Sequence, residues 1–434
     1  KVALVDKRPN TGGILMQRTG NGWNKTKIAR PDEIDDWTHY LYDASGNAVS
    51  HDDRVDSVAH FQWVGSPRWG RHHDHVSSMN AMVSSDGRLF YVIDEGARAS
   101  ILTPPRWTLV ARDAFSGVIL WKQPLDGWTN PLIRLKSGPA SLPRRLVADD
   151  GTVFVAGGPA RPVRTFDAVT GTPLRTIPDS AGCRELVYRN RTLFLVIPEQ
   201  NDPRTADTQH WRASPCRVQA VDTKTGTVRW NRPHGWILPL SLTAGPDGVY
   251  FCSDGRAVAV DPGSGDVRWT SDEAPLTTGT EAMPMHLGLG ATCFVHDGVV
   301  VFGTDVRKRF SRENQSMVAL DAETGDRLWQ GEVFGSRYGS PENLFGIDGR
   351  VWSVEASYPG DSGAVRAYDI HTGDVTEEFE PDFDPREWGW AWFHHRCHRA
   401  RATSRFLLTS RTGIEFVDLK HKHWEFNNWV RGSC

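Results

Sequence analysis

The chain has 434 residues, with 50 Lys and Arg against 53 Asp and Glu and a formal charge of −3. That balance argues against a nucleic-acid or anionic-membrane surface as the main partner, and the length accommodates two or three ordinary domains or one large repetitive one. Six scattered cysteines without a CxxC pair disfavour a zinc ribbon or a dense disulfide framework, and no apolar run reaches the roughly 18 residues of a membrane-spanning helix.

In chain order, residues 31–54 stand apart from the rest of the chain. In PDEIDDWTHYLYD, Pro31 and Asp32 precede Ile34, Trp37 and Leu41 at helical spacing, which predicts a short helix packed across one face of the remaining structure. Next comes PRWGRHHDH (67–75), which gathers Arg68, Arg71, His72, His73, Asp74 and His75.

From residue 80 onward a repeat organises the sequence. ARDAFSGVILW (111–121), AVDTKTGTVRW (220–230), AVDPGSGDVRW (259–269) and ALDAETGDRLW (319–329) share the pattern A-x-D-x-x-[ST]-G-x-x-x-W, and 165–175, 367–377 and 416–426 are weaker copies. The aspartates Asp113, Asp167, Asp222, Asp261, Asp321, Asp369 and Asp418 recur at intervals of 54, 55, 39, 60, 48 and 49, the scale of one four-stranded propeller blade. Short runs such as GRLFYVID, GTVFVAGG and GVVVFGTD precede most copies and have strand composition. Within the motif, Asp accepts backbone N–H groups of the turn, Ser or Thr supports it, Gly takes a left-handed angle, and Trp resumes the outer strand. The excess implied by 18 tryptophans is therefore partly structural, since Trp121, Trp230, Trp269 and Trp329 sit at the same repeat position.

Long connections at 200–215, 271–292, 304–317 and 378–393 interrupt the repeat, and loops around a propeller channel are where binding chemistry collects. Arg144 and Arg145, with Lys136, form a basic pair before a strand. FHHRCHRARATSRF (393–406) supplies His394, His395, Arg396, His398 and Arg399.

The repeat resembles the tryptophan-docking repeat of the PQQ-like propellers, the superfamily of quinoprotein alcohol dehydrogenases and of cofactor-free assembly and scaffold proteins. The resemblance covers roughly residues 80–430. It implies an all-β fold, a β-propeller of four-stranded blades over residues 55–434, with seven repeats visible and seven or eight blades in the ring. An eighth blade would combine residues 55–95 with strands beyond Cys434. In quinone-using members the resemblance implies an adjacent Cys-Cys disulfide and a calcium ion. No Cys-Cys pair exists here, which argues against bound PQQ.

Residues 31–53, the 67–75 cluster and the segment from His394 are together similar to large bacterial PQQ-like-repeat proteins typical of planctomycetes, in which the propeller follows a methyltransferase-like domain. This resemblance implies that residues 1–30 are the tail of an upstream domain. The segment similar to that domain's final strands is GGILMQRTGNGWNKTKIARP (12–31), and no glycine-rich nucleotide loop stands before it in residues 1–11, so no methyltransferase activity is assigned to this chain. The same reading places the protein outside the cytoplasm, in the periplasm or beyond it.

If both histidine-rich runs are extended, strand alternation puts His73 and His75 on one face with Arg71, and His394 and His398 on one face with Arg396. Three chemistries compete. A divalent metal would take His73, His75, His394 and His398. A metal-free site would use His73, His75 or His398 as acid/base groups, with Arg68, Arg71, His72, Arg144, Arg145, His394, His395, Arg396 and Arg399 binding an anionic ligand. Otherwise the clusters line a wet channel. The first expectation is a funnel that binds an anionic or polyhydroxylated ligand, a saccharide foremost. A uronate lyase on the same funnel, a protein-interaction scaffold and a quinoprotein dehydrogenase rank after it in that order.

Overall fold

The computed structural model describes residues 14–27, 30–58, 61–67, 70–71, 75–133, 142–200, 210–211, 213–273, 283–284, 292–303, 315–333, 343–355, 362–382, 400–409 and 414–427. Among the described residues seven antiparallel sheets succeed one another along the chain, each a meander in which successive strands are neighbours. The first blade is Met79–Ser85, Arg88–Asp94, Trp107–Asp113 and Ile119–Pro124. The remaining blades begin at Leu146–Asp149, Glu185–Arg189, Thr243–Ala244, Thr292–His296, Leu344–Ile347 and Arg401–Thr403. The first strands of the first five blades neighbour one another in turn, and that of the sixth lies against Val49–Ser50, which pairs with that of the seventh; together they form the inner wall of the ring. A separate hairpin, Ile14–Thr19 with Gly22–Lys27, precedes the ring.

The turn chemistry of the motif is realised. Asp113 Oδ1 accepts the backbone N–H of Phe115 and Ser116 at 3.1 and 2.7 Å, and Asp321 Oδ1 accepts those of Glu323 and Thr324 at 2.9 Å each. Gly325 takes φ +79°, and a Cβ there would lie 2.6 Å from the Trp269 ring. That close approach is the blade-to-blade joint. The indole N–H of Trp121, Trp230, Trp269 and Trp329 donates to the carbonyl of Ala168, Pro262, Ala322 and Ile370, each the residue after the next blade's turn aspartate.

Two joints depart from the pattern. Arg175 stands where Trp is expected and donates to Thr225 and Lys224 carbonyls, and Glu377 stands in the sixth blade and pairs with Lys422 at 3.0 Å. Between the last blade and the first, Trp63 plays the docking part: its indole donates to Ala114 O at 2.9 Å and packs on Gly117. Ser57 bonds Glu425 of the outermost strand nearby. Among the described residues the ring has seven blades. The expectation that residues 55–95 supply an eighth blade is corrected in one respect, because the strands Met79–Ser85 and Arg88–Asp94 belong to the first.

The expected helix at 31–54 is also corrected. Residues 37–50 instead form a strap bonded to the inner strand of every blade in turn. Trp37 O accepts Ser84 N (2.7 Å), Thr38 O accepts Ala148 N (3.0 Å), and the His39 ring accepts Tyr188 N (3.0 Å). Ala44 O accepts Ala244 N (2.8 Å), and Ser45 O accepts Val295 N (3.0 Å). The Asn47 amide exchanges two bonds with Gly346 (2.8 and 2.9 Å). Ala48 O accepts Ala402 N (2.8 Å), after which Val49–Ser50 runs parallel to the seventh inner strand. The physical reason is competition for backbone groups. The free edges of seven inner strands need partners inside the ring, and the strap satisfies them where a helix would keep its bonds to itself. Asp35 reinforces this path by accepting His51 N and the Tyr42 hydroxyl.

Candidate functional site

The strap meets the inner strands at their second-last residue in six blades and at the last residue, Ala244, in the fourth. It therefore closes the channel at the end where those strands finish. Solvent still reaches the inner wall: Met82 and Arg401, both on inner strands, are exposed. Met82 shares a strand face with Ser84, which bonds the strap, while Ala81 and Val83 turn into the core shared with the second blade.

Of the expected site, Arg68, His72, His73, Asp74, His394, His395, Arg396, His398 and Arg399 lie outside the described residues. Of the described residues beside them, His75 stands shortly before the first inner strand and Ala400 just before the seventh. His75 is half-buried. Arg71 does not line a funnel. It is buried and bonds Asp94 at 2.7 Å, with both side chains almost fully enclosed, and its remaining donors reach the carbonyls of Ala97, Ser100 and Thr103. A guanidinium so committed is structural, and its assignment to ligand binding is corrected.

Arg144 and Arg145 occupy the one-turn 3-10 helix Leu142–Arg145 and are buried in the wall, not spread across its surface. Arg145 donates to Trp128 O at 3.0 Å and lies 6.0 Å from that ring. Arg144 Nη2 donates to Leu240 O at 3.0 Å, while Leu240 N donates to Glu185 Oε1, so one residue with a left-handed φ of 67° joins the two charges. Burial lowers the Arg144 pKa and raises that of Glu185, and each charge opposes the other's shift. Arg144 Nε and Nη1 and Glu185 Oε2 have no hydrogen-bond partner among the described residues.

The strap contributes groups that the helical spacing placed on a helix face. Trp37 stacks beneath the Arg401 guanidinium at 5.1 Å from ring centroid to Cζ. Tyr40 lies within electrostatic reach of both Arg144 and Arg401. His39 is buried, and desolvation followed by the Arg144 charge pushes its pKa down to about 3, so the ring is neutral and accepts the Tyr188 N–H. Among the described residues no group of three metal-ligating side chains occurs. The described cysteines, Cys183, Cys216, Cys252 and Cys293, are buried free thiols.

Residues 65–235, 108–302 and 253–396 each match the family PQQ_2, described as outer membrane protein assembly factor BamB, and together they span most of the chain. The chain belongs to the PQQ_2 family. Among solved structures, a europium-containing methanol dehydrogenase shares the fold, with TM-score 0.53 at 12% identity over 90% of this chain and 84% of that one. BamB from Moraxella catarrhalis is similar at TM-score 0.43, with 14% identity over 81% and 82% of the two chains. The computationally designed Ika8 protein gives TM-score 0.38, with 14% identity over 78% and 95%. A search of curated proteins finds no match. A PQQ_2 propeller carries no activity by virtue of its fold, so function has to be argued from the channel.

Proposed function

We propose that the protein is a ligand-binding PQQ-like-repeat propeller whose channel, closed at one end by the strap, takes an anionic or polyhydroxylated small molecule, foremost a saccharide. The observation that carries this reading is the combination of a sealed floor with solvent-reached cationic and aromatic groups above it, Arg401 over Trp37 beside Tyr40. Pockets that fix a ligand by a few convergent polar groups on an aromatic and apolar lining have this composition. An extracytoplasmic location suits such a role.

The test is a glycan array probed with the wild-type protein and with Met82→Trp, which fills the channel from its exposed wall. Glycan binding is expected for the wild type and its loss in Met82→Trp, with the thermal unfolding of both proteins alike. Absence of glycan binding by the wild type, or binding untouched by Met82→Trp, would overturn the proposal.

A further inference from the structure

Arg401 differs from the arginines of the ring that face a carboxylate. Arg71 faces Asp94, Arg144 is offset by Glu185, Arg366 is bidentate to Glu378 at 3.0 Å in both bonds, and Arg405 pairs with Asp418 at 3.0 Å. The interactions of Arg401 with described residues are with the Trp37 ring and, electrostatically, with Tyr40, and neither is a carboxylate. It is the first residue of the innermost strand of its blade, accessible to solvent yet surrounded by the ring. That enclosure lowers its pKa, the response of a cation that has lost water without gaining a counter-ion. A guanidinium stacked on an indole keeps its plane fixed and its edge donors free, and those donors match a carboxylate.

We propose that Arg401, seated on Trp37 and assisted by the Tyr40 hydroxyl, is an anion subsite at the channel floor that takes the carboxylate of an acidic sugar. This rests on the channel-binding reading and narrows it from saccharides in general to uronate- or sialate-bearing ones. The choice of a carboxylate over a neutral hydroxyl comes from charge. Where Glu185 balances Arg144, an anion meets repulsion; at Arg401 no described carboxylate competes.

The experiment compares wild type, Arg401→Gln, Arg401→Lys and Tyr40→Phe on an array carrying matched acidic and neutral glycans, with calorimetric titration of trigalacturonate and of its methyl ester. The wild type is expected to favour the free acid by about 10- to 100-fold, the worth of a hydrogen bond to a charged group. Arg401→Gln should erase that preference, Arg401→Lys should keep part of it, and Tyr40→Phe should weaken it without abolishing it. Equal binding of acidic and neutral glycans by wild type and Arg401→Gln would overturn this inference and leave the channel reading standing. No glycan bound by the wild type would overturn both. Should Arg401→Gln fail to fold, Tyr40→Phe and Arg401→Lys carry the comparison, and an acid preference unchanged in Tyr40→Phe and lost in Arg401→Lys would remove the tyrosine from the subsite.

Discussion

The strap reaches the third blade through a side chain, not a carbonyl, and that makes the ring sensitive to acid. His39 accepts the Tyr188 N–H at 3.0 Å only while its ring nitrogen is unprotonated, and its folded pKa is about 3 against 6.5 for the free side chain. Below pH 6.5 the unfolded imidazole binds a proton that the folded one refuses, so stability present above that pH is lost as pH falls towards 3. The loss runs at about 1.4 kcal/mol per pH unit, about 2 kcal/mol by pH 5 and approaching ~5 kcal/mol at pH 3. His234 and His296 are also depressed by burial and add to the wild-type slope, so the comparison must isolate His39. His39→Gln keeps a side-chain acceptor and cannot titrate. Urea unfolding at about pH 7.5 and about pH 5 should show the wild type losing roughly 2 kcal/mol more than His39→Gln over that interval. Equal losses in the two proteins would refute the assignment of a buried neutral His39 to the strap.

Three further outcomes are expected from the packing. Asn47→Ala removes both partners of the buried Gly346 peptide groups and should cost about 2–3 kcal/mol in chemical denaturation. Asp94→Ala strands the enclosed Arg71 charge and should cost about 3–5 kcal/mol by the same assay, whereas a ligand-binding Arg71 would lose affinity with little loss of stability. Arg175→Trp restores the docking residue opposite Gly226, with Thr223 O as the indole acceptor, and should stabilise by about 1 kcal/mol, read as a raised Tm.

The repeat was legible because its physics is local. Each Asp-turn-Gly-Trp unit writes its own hairpin and its own joint, so seven aspartates marked seven blades. Blade closure and the strap were not legible, because both depend on contacts across the whole ring. Trp63 docks on Gly117 from outside any motif copy, and residues 34–50 carry Ile34, Trp37 and Leu41 at helical spacing while their carbonyls are needed by strands as far away as Ala402. Arg71 misled for the same reason: alternation gave it a face, but its partner Asp94 lies on the second strand of the first blade and decided its fate. Arg401 sat inside a run of arginines with no pattern of its own. Its solvent-reached seat on Trp37, with no described acidic neighbour, is visible only in the assembled channel.

If the strap-sealed channel holds the ligand, a crystal structure with an acidic trisaccharide bound should show it there. Density is expected inside the ring beside the first and seventh blades, with a carboxylate within hydrogen-bonding distance of Arg401. Density confined to the outer rim of the blades, with Arg401 still facing only Trp37 and solvent, would contradict the proposed role of the channel.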